Sequence, residues 1–245
     1  MNKISILSKR NFKEMLKEPV VLIFSLLVPV VMLVVMQLIF QNVQAQGVEI
    51  FRIESFAPAI ATFGFSFTML SIALMITSDK TGAFLSRLLV SPVKPSQYLF
   101  SFLPTGLINC ICQIIIFYIL SFIFNMPFSV GTLLSAVYLI VPALFYCVAG
   151  ILIGAIANNE RQAGPFCSII ISGAGILGGV WMPLESIGGG FLIFCKILPF
   201  YNGITPSQSA VLGNYLNLLP MLIVFVYSGV LLALAFYMFN RKCKN

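Results

Sequence analysis

The chain has no histidine, only 7 Asp+Glu, and only 14 Lys+Arg among 245 residues. Without an imidazole, a histidine general base and histidine metal ligation are both excluded. Seven carboxylates leave little for paired-carboxylate catalysis or for an oxygen cage around a hard cation. Charged residues make up 9% of the chain and hydrophobic residues 60%, against about 25% and about 45–50% in a soluble domain. So little charge cannot coat a globular surface, and the composition is that of an integral membrane protein. The six cysteines, at 110, 112, 147, 167, 195 and 243, form no C-x-x-C pair. They read as small buried hydrophobes rather than as a disulfide framework or metal cluster.

What the sequence does have is long charge-free runs: 19–48, 55–78, 95–159, 162–184 and 197–240. A spanning helix needs about 20 apolar residues. The third run therefore holds two spans, with Asn125-Met126-Pro127 and Gly131 as the turn between them. The expected fold is all-α, a single transmembrane domain over 1–245 with six spans near 20–40, 56–77, 98–124, 131–157, 164–182 and 217–239. With the N-terminus inside, Lys3, Lys9, Arg10, Lys13, Lys17, Lys80, Arg87, Lys94, Arg161, Arg241, Lys242 and Lys244 are all cytoplasmic, and only Arg52 and Lys196 are external. This twelve-to-two bias places both termini in the cytoplasm. The net charge of +7 is thus a matter of orientation in a lipid bilayer, and no nucleic-acid partner is expected.

Residues 3–17 read as an amphipathic helix lying in the membrane surface. Ile4, Leu7, Phe12, Met15 and Leu16 share one arc and the five basic residues the other, with Ile6 the misfit. The plainer alternative is a solvated basic tail. Glu18-Pro19 breaks the helix before the first span.

The loop 78–97 carries the most specific pattern. Residues 82–90 allow two helical turns with Phe84, Leu85, Leu88 and Leu89 on one side, stopped by Pro92 and Pro95. Such a helix covers its apolar side either with the membrane surface or with a partner's groove. Asp79-Lys80, Gly82, then Arg87-Leu88-Leu89-Val90-Ser91-Pro92 and Pro95 resemble the signature of ABC-2 type transporter permeases. The Gly-rich fifth span leading into Val180-Trp181-Met182-Pro183-Leu184-Glu185, and Leu198-Pro199-Phe200 before the last span, are also similar to that family. Where many members carry an acidic residue just before the Arg-Leu-Leu core, this chain has Leu85-Ser86, so no acidic contact carries over there.

The resemblance implies a permease subunit that pairs with a copy of itself and with ABC-type ATP-binding subunits. Asp79, Gly82, Phe84, Leu85, Arg87, Leu88, Leu89, Ser91 and Pro92 would then form the coupling element facing the ATPase. No cofactor is expected on this chain. It has no G-x-x-x-x-G-K-[ST], so ATP and Mg would sit on the partner subunit. The bland reading of the loop is a basic connector that only orients the spans.

Residues 183–216 place the short apolar run 191–198 between Gly and Pro clusters. This pattern suggests half-helices re-entering the outer leaflet, or else a flexible external loop. Ionisable groups are absent from the spans, and Gln37, Asn109 and Gln113 are the notable polar positions and the candidate path-lining residues. Asn109 and Gln113 share a helix face, either lining a path or bonding a neighbouring helix. Gly150/Gly154 and Gly175/Gly179 read as helix-packing pairs. Pro29 and Pro142 are expected to kink their spans. The expected function is an exporter permease for an amphipathic or lipid-like substrate, in a bacterial inner membrane by resemblance. The alternative is a membrane enzyme or assembly factor acting on lipids without an ATPase.

Overall fold

Helix α3 (Ile53–Thr81) forms the axis of the molecule, and 83% of its membrane-length window is buried by other helices. The computed structural model describes residues 3–17, 19–42, 48–82, 84, 88, 93–215 and 218–242. These are helices and turns, with no strand among the described residues. In chain order come α1 (Lys3–Lys17), α2 (Pro19–Asn42), a 3₁₀ turn (Val48–Phe51), and α3. Then follow α4 (Pro95–Phe100), α5 (Phe102–Ile123), α6 (Val130–Tyr138), α7 (Ile140–Ile156) and α8 (Glu160–Leu177). Last are α9 (Leu184–Ile187), α10 (Gly189–Ile197), α11 (Pro199–Val211) and α12 (Leu219–Lys242).

Two prolines divide the runs that the sequence presents as single spans. A proline ring collides with the carbonyl four residues earlier and supplies no N–H. Pro104 is four residues after Phe100, where α4 stops, and Pro142 four after Tyr138, where α6 stops. Pro29, by contrast, lies within a continuous α2. Asn125 takes the left-handed φ of 65° that ends the α5 region, as the turn at 125–127 required. Gly131 does not belong to that turn. It lies inside α6, where a Cβ would run into the Ala210 carbonyl of α11.

Close approach to the axis explains the small residues of α7. A Cβ on Gly150 would sit 3.1 Å from the Ile72 Cβ, and one on Gly154 2.7 Å from the Ile76 Cβ. Both glycines let α7 touch α3. The Gly175/Gly179 pair does not form such a contact. Gly179 falls beyond the end of α8 with φ +75°, and Gly175 instead makes room for the Trp181 indole.

Among the described residues, five helical runs are long and apolar enough to cross a membrane: Ser25–Asn42, Ile53–Thr81, Pro95–Ile123, Val130–Ile156 and Leu219–Phe239. Helix α8 falls outside that set because it opens on Glu160-Arg161-Gln162 and contains Pro165. It nevertheless packs along α3 and α7. Helices α2 and α12 stand at the periphery and bury only 22% and 17% of their windows. Their outward Ile, Leu, Val and Phe side chains suit contact with lipid rather than water.

Helix α1 forms as the periodicity predicts, but a different arc is covered. Leu7, Asn11 and Met15 are buried, while Ile6 and Leu16 are exposed. The inward face lies on α5, α2 and α4, so α1 is strapped to the chain's own helices.

Candidate functional site

The end of α3 at Ser78–Thr81 is where the strap, the loop and three further helices converge. Asp79 is buried, 7% exposed, and such a carboxylate needs partners. Arg10 of α1 supplies two: Nη1 donates to Oδ2 at 2.8 Å and Nη2 to Oδ1 at 2.6 Å. The Tyr98 hydroxyl of α4 donates to Oδ2 at 2.8 Å. Arg10 Nη2 also lies 2.6 Å from Glu14, one turn further along α1. Burial acts to lower the Arg10 pKa, but the hydrogen bond to Asp79 and the charges of Asp79 and Glu14 outweigh it, so the guanidinium titrates above its ordinary value.

The fork stands over an aromatic floor. The Arg10 guanidinium carbon is 3.5 Å from the Phe84 ring centroid, and Phe84 lies tilted against Tyr98 at 6.4 Å. Tyr98 meets Phe102 edge-on at 5.3 Å and stacks on Phe239 of α12 at 5.9 Å.

Lys80 points the other way. Its Nζ donates to the carbonyls of Gly154, Ala155 and Ala157 at 2.5, 2.7 and 2.9 Å. These are acceptors at the end of α7, which an isolated helix leaves without partners. An ammonium there also meets the negative end of the helix dipole. The doublet Asp79-Lys80 thus fastens the end of α3 to α1, α4 and α7, and Lys80 lies 5.6 Å from the Phe239 ring of α12.

A second set of bonds holds α1 at the proline break. The Ser8 hydroxyl donates to the Ser101 carbonyl and Asn11 Nδ2 to the Ser101 hydroxyl, both at 2.9 Å. Thr105 donates to the Ser8 carbonyl at 3.2 Å.

Of the expected coupling residues, Asp79 is buried in this network and Gly82 caps α3, donating to the Ser78 carbonyl at 2.9 Å. Phe84 and Leu88 are helical and pack, half-buried, against the core. Leu85, Arg87, Leu89, Ser91 and Pro92 lie outside the described residues. Arg10, Tyr98 and Lys80 are central to the site, although helical periodicity places Arg10 on the basic arc and the sequence alone pairs neither of the other two. The available signal was Asn11, a polar residue on the Leu7/Met15 face, which marks that face as protein-bound.

The polar intramembrane residues are brought to helix contacts. Asn109 Nδ2 and Gln113 Nε2 donate to one acceptor, the Thr68 hydroxyl of α3, at 2.8 and 3.0 Å. Gln113 Oε1 is buried without a partner among the described residues. Gln37 is apart from them and donates to the Phe51 carbonyl at 2.7 Å, fixing the 3₁₀ turn. No group of three or more Cys, Asp or Glu among the described residues is placed to hold a metal ion.

Apolar helices of spanning length around a buried axis, with a polar knot at one end, define a multi-pass membrane protein. The ABC-2 type transporter family matches residues 2–212, and the chain belongs to that family. It is a permease subunit of an ABC transporter, a family whose permeases work with an ABC ATP-binding subunit. The match ends within the α11–α12 connection, so α12 lies beyond it. Comparison with curated proteins gives no match.

Proposed function

We propose that this chain is the membrane half of an ATP-driven exporter in a bacterial inner membrane. Two copies pair, a separate subunit binds ATP and Mg, and the path carries an amphipathic or lipid-like substrate. Both termini are cytoplasmic, and α8 completes a sixth crossing. Residues 78–97 form the coupling element, and Phe84 and Leu88 tie it to the core from within. The absence of Asp, Glu, Lys and Arg from 20–40, 56–77, 98–124, 131–157, 164–182 and 217–239 supports apolar cargo and argues against a proton relay.

One observation supports this reading above the others: the Asp79-Lys80 doublet at the root of the loop is bonded to three helices at once. A loop that only sets topology needs no such root. A force applied to residues 82–92 would reach α3 and pass through rigid bonds to α1, α4 and α7.

The test is co-purification of an ATP-binding subunit with the tagged permease from native membranes, then ATP hydrolysis in nanodiscs. Leu88→Asp and Leu89→Asp are compared with wild type, and both are checked for monodisperse elution, since Leu88 also packs on the core. We expect association or hydrolysis to drop at least tenfold. Wild-type levels of both in the two variants would overturn the coupling role, and an ATPase-free permease in native membranes would overturn the assignment as a whole.

A further inference from the structure

At the end of the bundle opposite α1, helix α11 has two unlike faces. Asn202, Gly203, Pro206, Ser207 and Ala210 are buried against the neighbouring helices. Tyr201, Thr205, Gln208, Ser209 and Leu212 project on the other side into a cavity of about 390 Å³. That volume lies within the roughly 300–1,000 Å³ of small-molecule sites. The turn after α8 and helix α9 supply the facing wall through Met182, Leu184 and Glu185, and α3 supplies Ser55.

The lining divides by chemistry. Leu184, Met182 and Leu212 offer an aliphatic wall. Gln208 Nε2 donates to the Ser55 carbonyl at 2.8 Å, which fixes the amide and leaves its oxygen as an acceptor. Glu185 makes no ion pair or hydrogen bond with another described residue, and neither do the hydroxyls of Tyr201 and Ser209. Glu185 is the one charged group among the described lining residues. Of the nearby basic residues, Arg52 faces Glu54 at 3.7 Å and Lys196 belongs to α10; neither lines the cavity. An exposed carboxylate without a counter-cation at the rim of the cavity gives its mouth a negative potential.

We infer that this cavity binds a cationic amphiphile. The ammonium group pairs with Glu185 and donates to the Gln208 oxygen, while the alkyl part lies along Leu184, Met182 and Leu212. The inference rests on the export reading only in calling this end the outer one. The carboxylate selects the charge of the head group, and the aliphatic wall selects against small hydrophilic cations.

Trp181, the sole tryptophan, adjoins the cavity wall at Met182 and stands 5.2 Å from the Phe63 ring, so its fluorescence reports on the site. Dodecylammonium is titrated into the purified permease alone, in nanodiscs of zwitterionic lipid, beside dodecanol and dodecyl sulfate. The expected result is a saturable change in Trp181 emission with dodecylammonium at a Kd at least tenfold below those of the other two. Glu185→Gln should weaken dodecylammonium at least tenfold and Gln208→Leu severalfold, with Lys196→Gln unchanged. Glu185 is exposed, so its substitution leaves the packing intact. Non-saturable partitioning, equal binding of dodecyl sulfate, or a Glu185→Gln Kd within twofold of wild type would each overturn the site. Because no ATP-binding subunit is present, failure of the export assignment leaves this result unaffected, and failure here leaves that assignment standing.

Discussion

Arg10 and Asp79, 69 residues apart in the chain, meet through two hydrogen bonds of 2.8 and 2.6 Å. A bidentate fork fixes direction as well as distance. The surface helix and the end of the axial helix therefore move as one piece. The fork ties α1 to the root of the loop that follows α3.

Arg10→Gln should lower stability by about 1–3 kcal/mol, the range for breaking a pair that is buried on one side only. The Arg10 side chain is 24% exposed and that of Asp79 8%, so most of the loss comes from Asp79 left with Tyr98 alone. Arg10→Lys should recover only part of the loss, because a single ammonium cannot reproduce the fork. The decisive comparison is a double-mutant cycle on thermal unfolding in detergent. Arg10→Gln/Asp79→Asn should cost less than the sum of the single variants, and strict additivity would show that the two residues do not interact.

Lys80→Met should loosen the far end of α7. Removing the ammonium strands three carbonyls, for which unmet acceptors cost about 1–3 kcal/mol each before water re-enters. Hydrogen–deuterium exchange of peptides covering 150–157 should accelerate by at least tenfold, while peptides in α11 stay unchanged. Uniform acceleration throughout would mean global destabilisation instead of a lost cap.

The long helices were legible in the sequence because charge gaps and length set them, and among the described residues five runs are long and apolar enough to cross a membrane. The breaks at Ser101 and Leu139 were less visible. Pro104 is embedded in an otherwise uniform apolar run, and only the ring clash with residue 100 locates the interruption. Pro142 was recognised, yet a kink and a full division into α6 and α7 look the same in sequence.

The site was legible in part. The Asp79-Lys80 doublet was identified, but its partners are Arg10, Tyr98 and the end of α7, and no local periodicity pairs residues 69 or 74 positions apart. Arg10 misled for a physical reason. On a helical wheel it lies within the basic arc, toward the side next to Leu7, and its long side chain reaches the inner face. Asn109 and Gln113 were read correctly as facing one way, but Thr68 was unremarkable until α3 was placed opposite them.

Thr68→Val should be more costly than Gln113→Met. The hydroxyl serves two amides at once, whereas Gln113 brings to the interior an oxygen without a partner among the described residues. Hydrogen bonds between membrane helices average about 0.6 kcal/mol. Thr68→Val should therefore cost about 1–2 kcal/mol, and Gln113→Met near zero. Denaturant titration of the reconstituted permease measures both. A Gln113→Met penalty above that of Thr68→Val would indicate a bonded water or substrate at the orphan oxygen.

The last prediction concerns α10, whose Ile193, Phe194 and Ile197 are 64%, 52% and 59% exposed. Water is a poor environment for such a cluster, and each side chain gains about 1.5–3 kcal/mol on burial in an apolar medium. The backbone at both ends of α10 is compatible with burial in lipid. Gly188 and Gly189, at the junction of α9 and α10, take φ +62° and +59°, a conformation that side chains resist. At its other end Asn202 Nδ2 donates to the carbonyls of Lys196 and Leu198 at 2.6 and 2.8 Å, acceptors that hydrocarbon would leave unmet. Nitroxides at 193 and 194 should therefore collide more with oxygen than with a water-soluble nickel chelate, and a label at 185 should show the reverse. Substituting Ile193→Lys should reduce reconstitution into liposomes, because the ammonium must find the interface from mid-helix. If labels at 193 and 194 met the nickel chelate as freely as one at 185, α10 would lie in water and the re-entrant arrangement would be wrong.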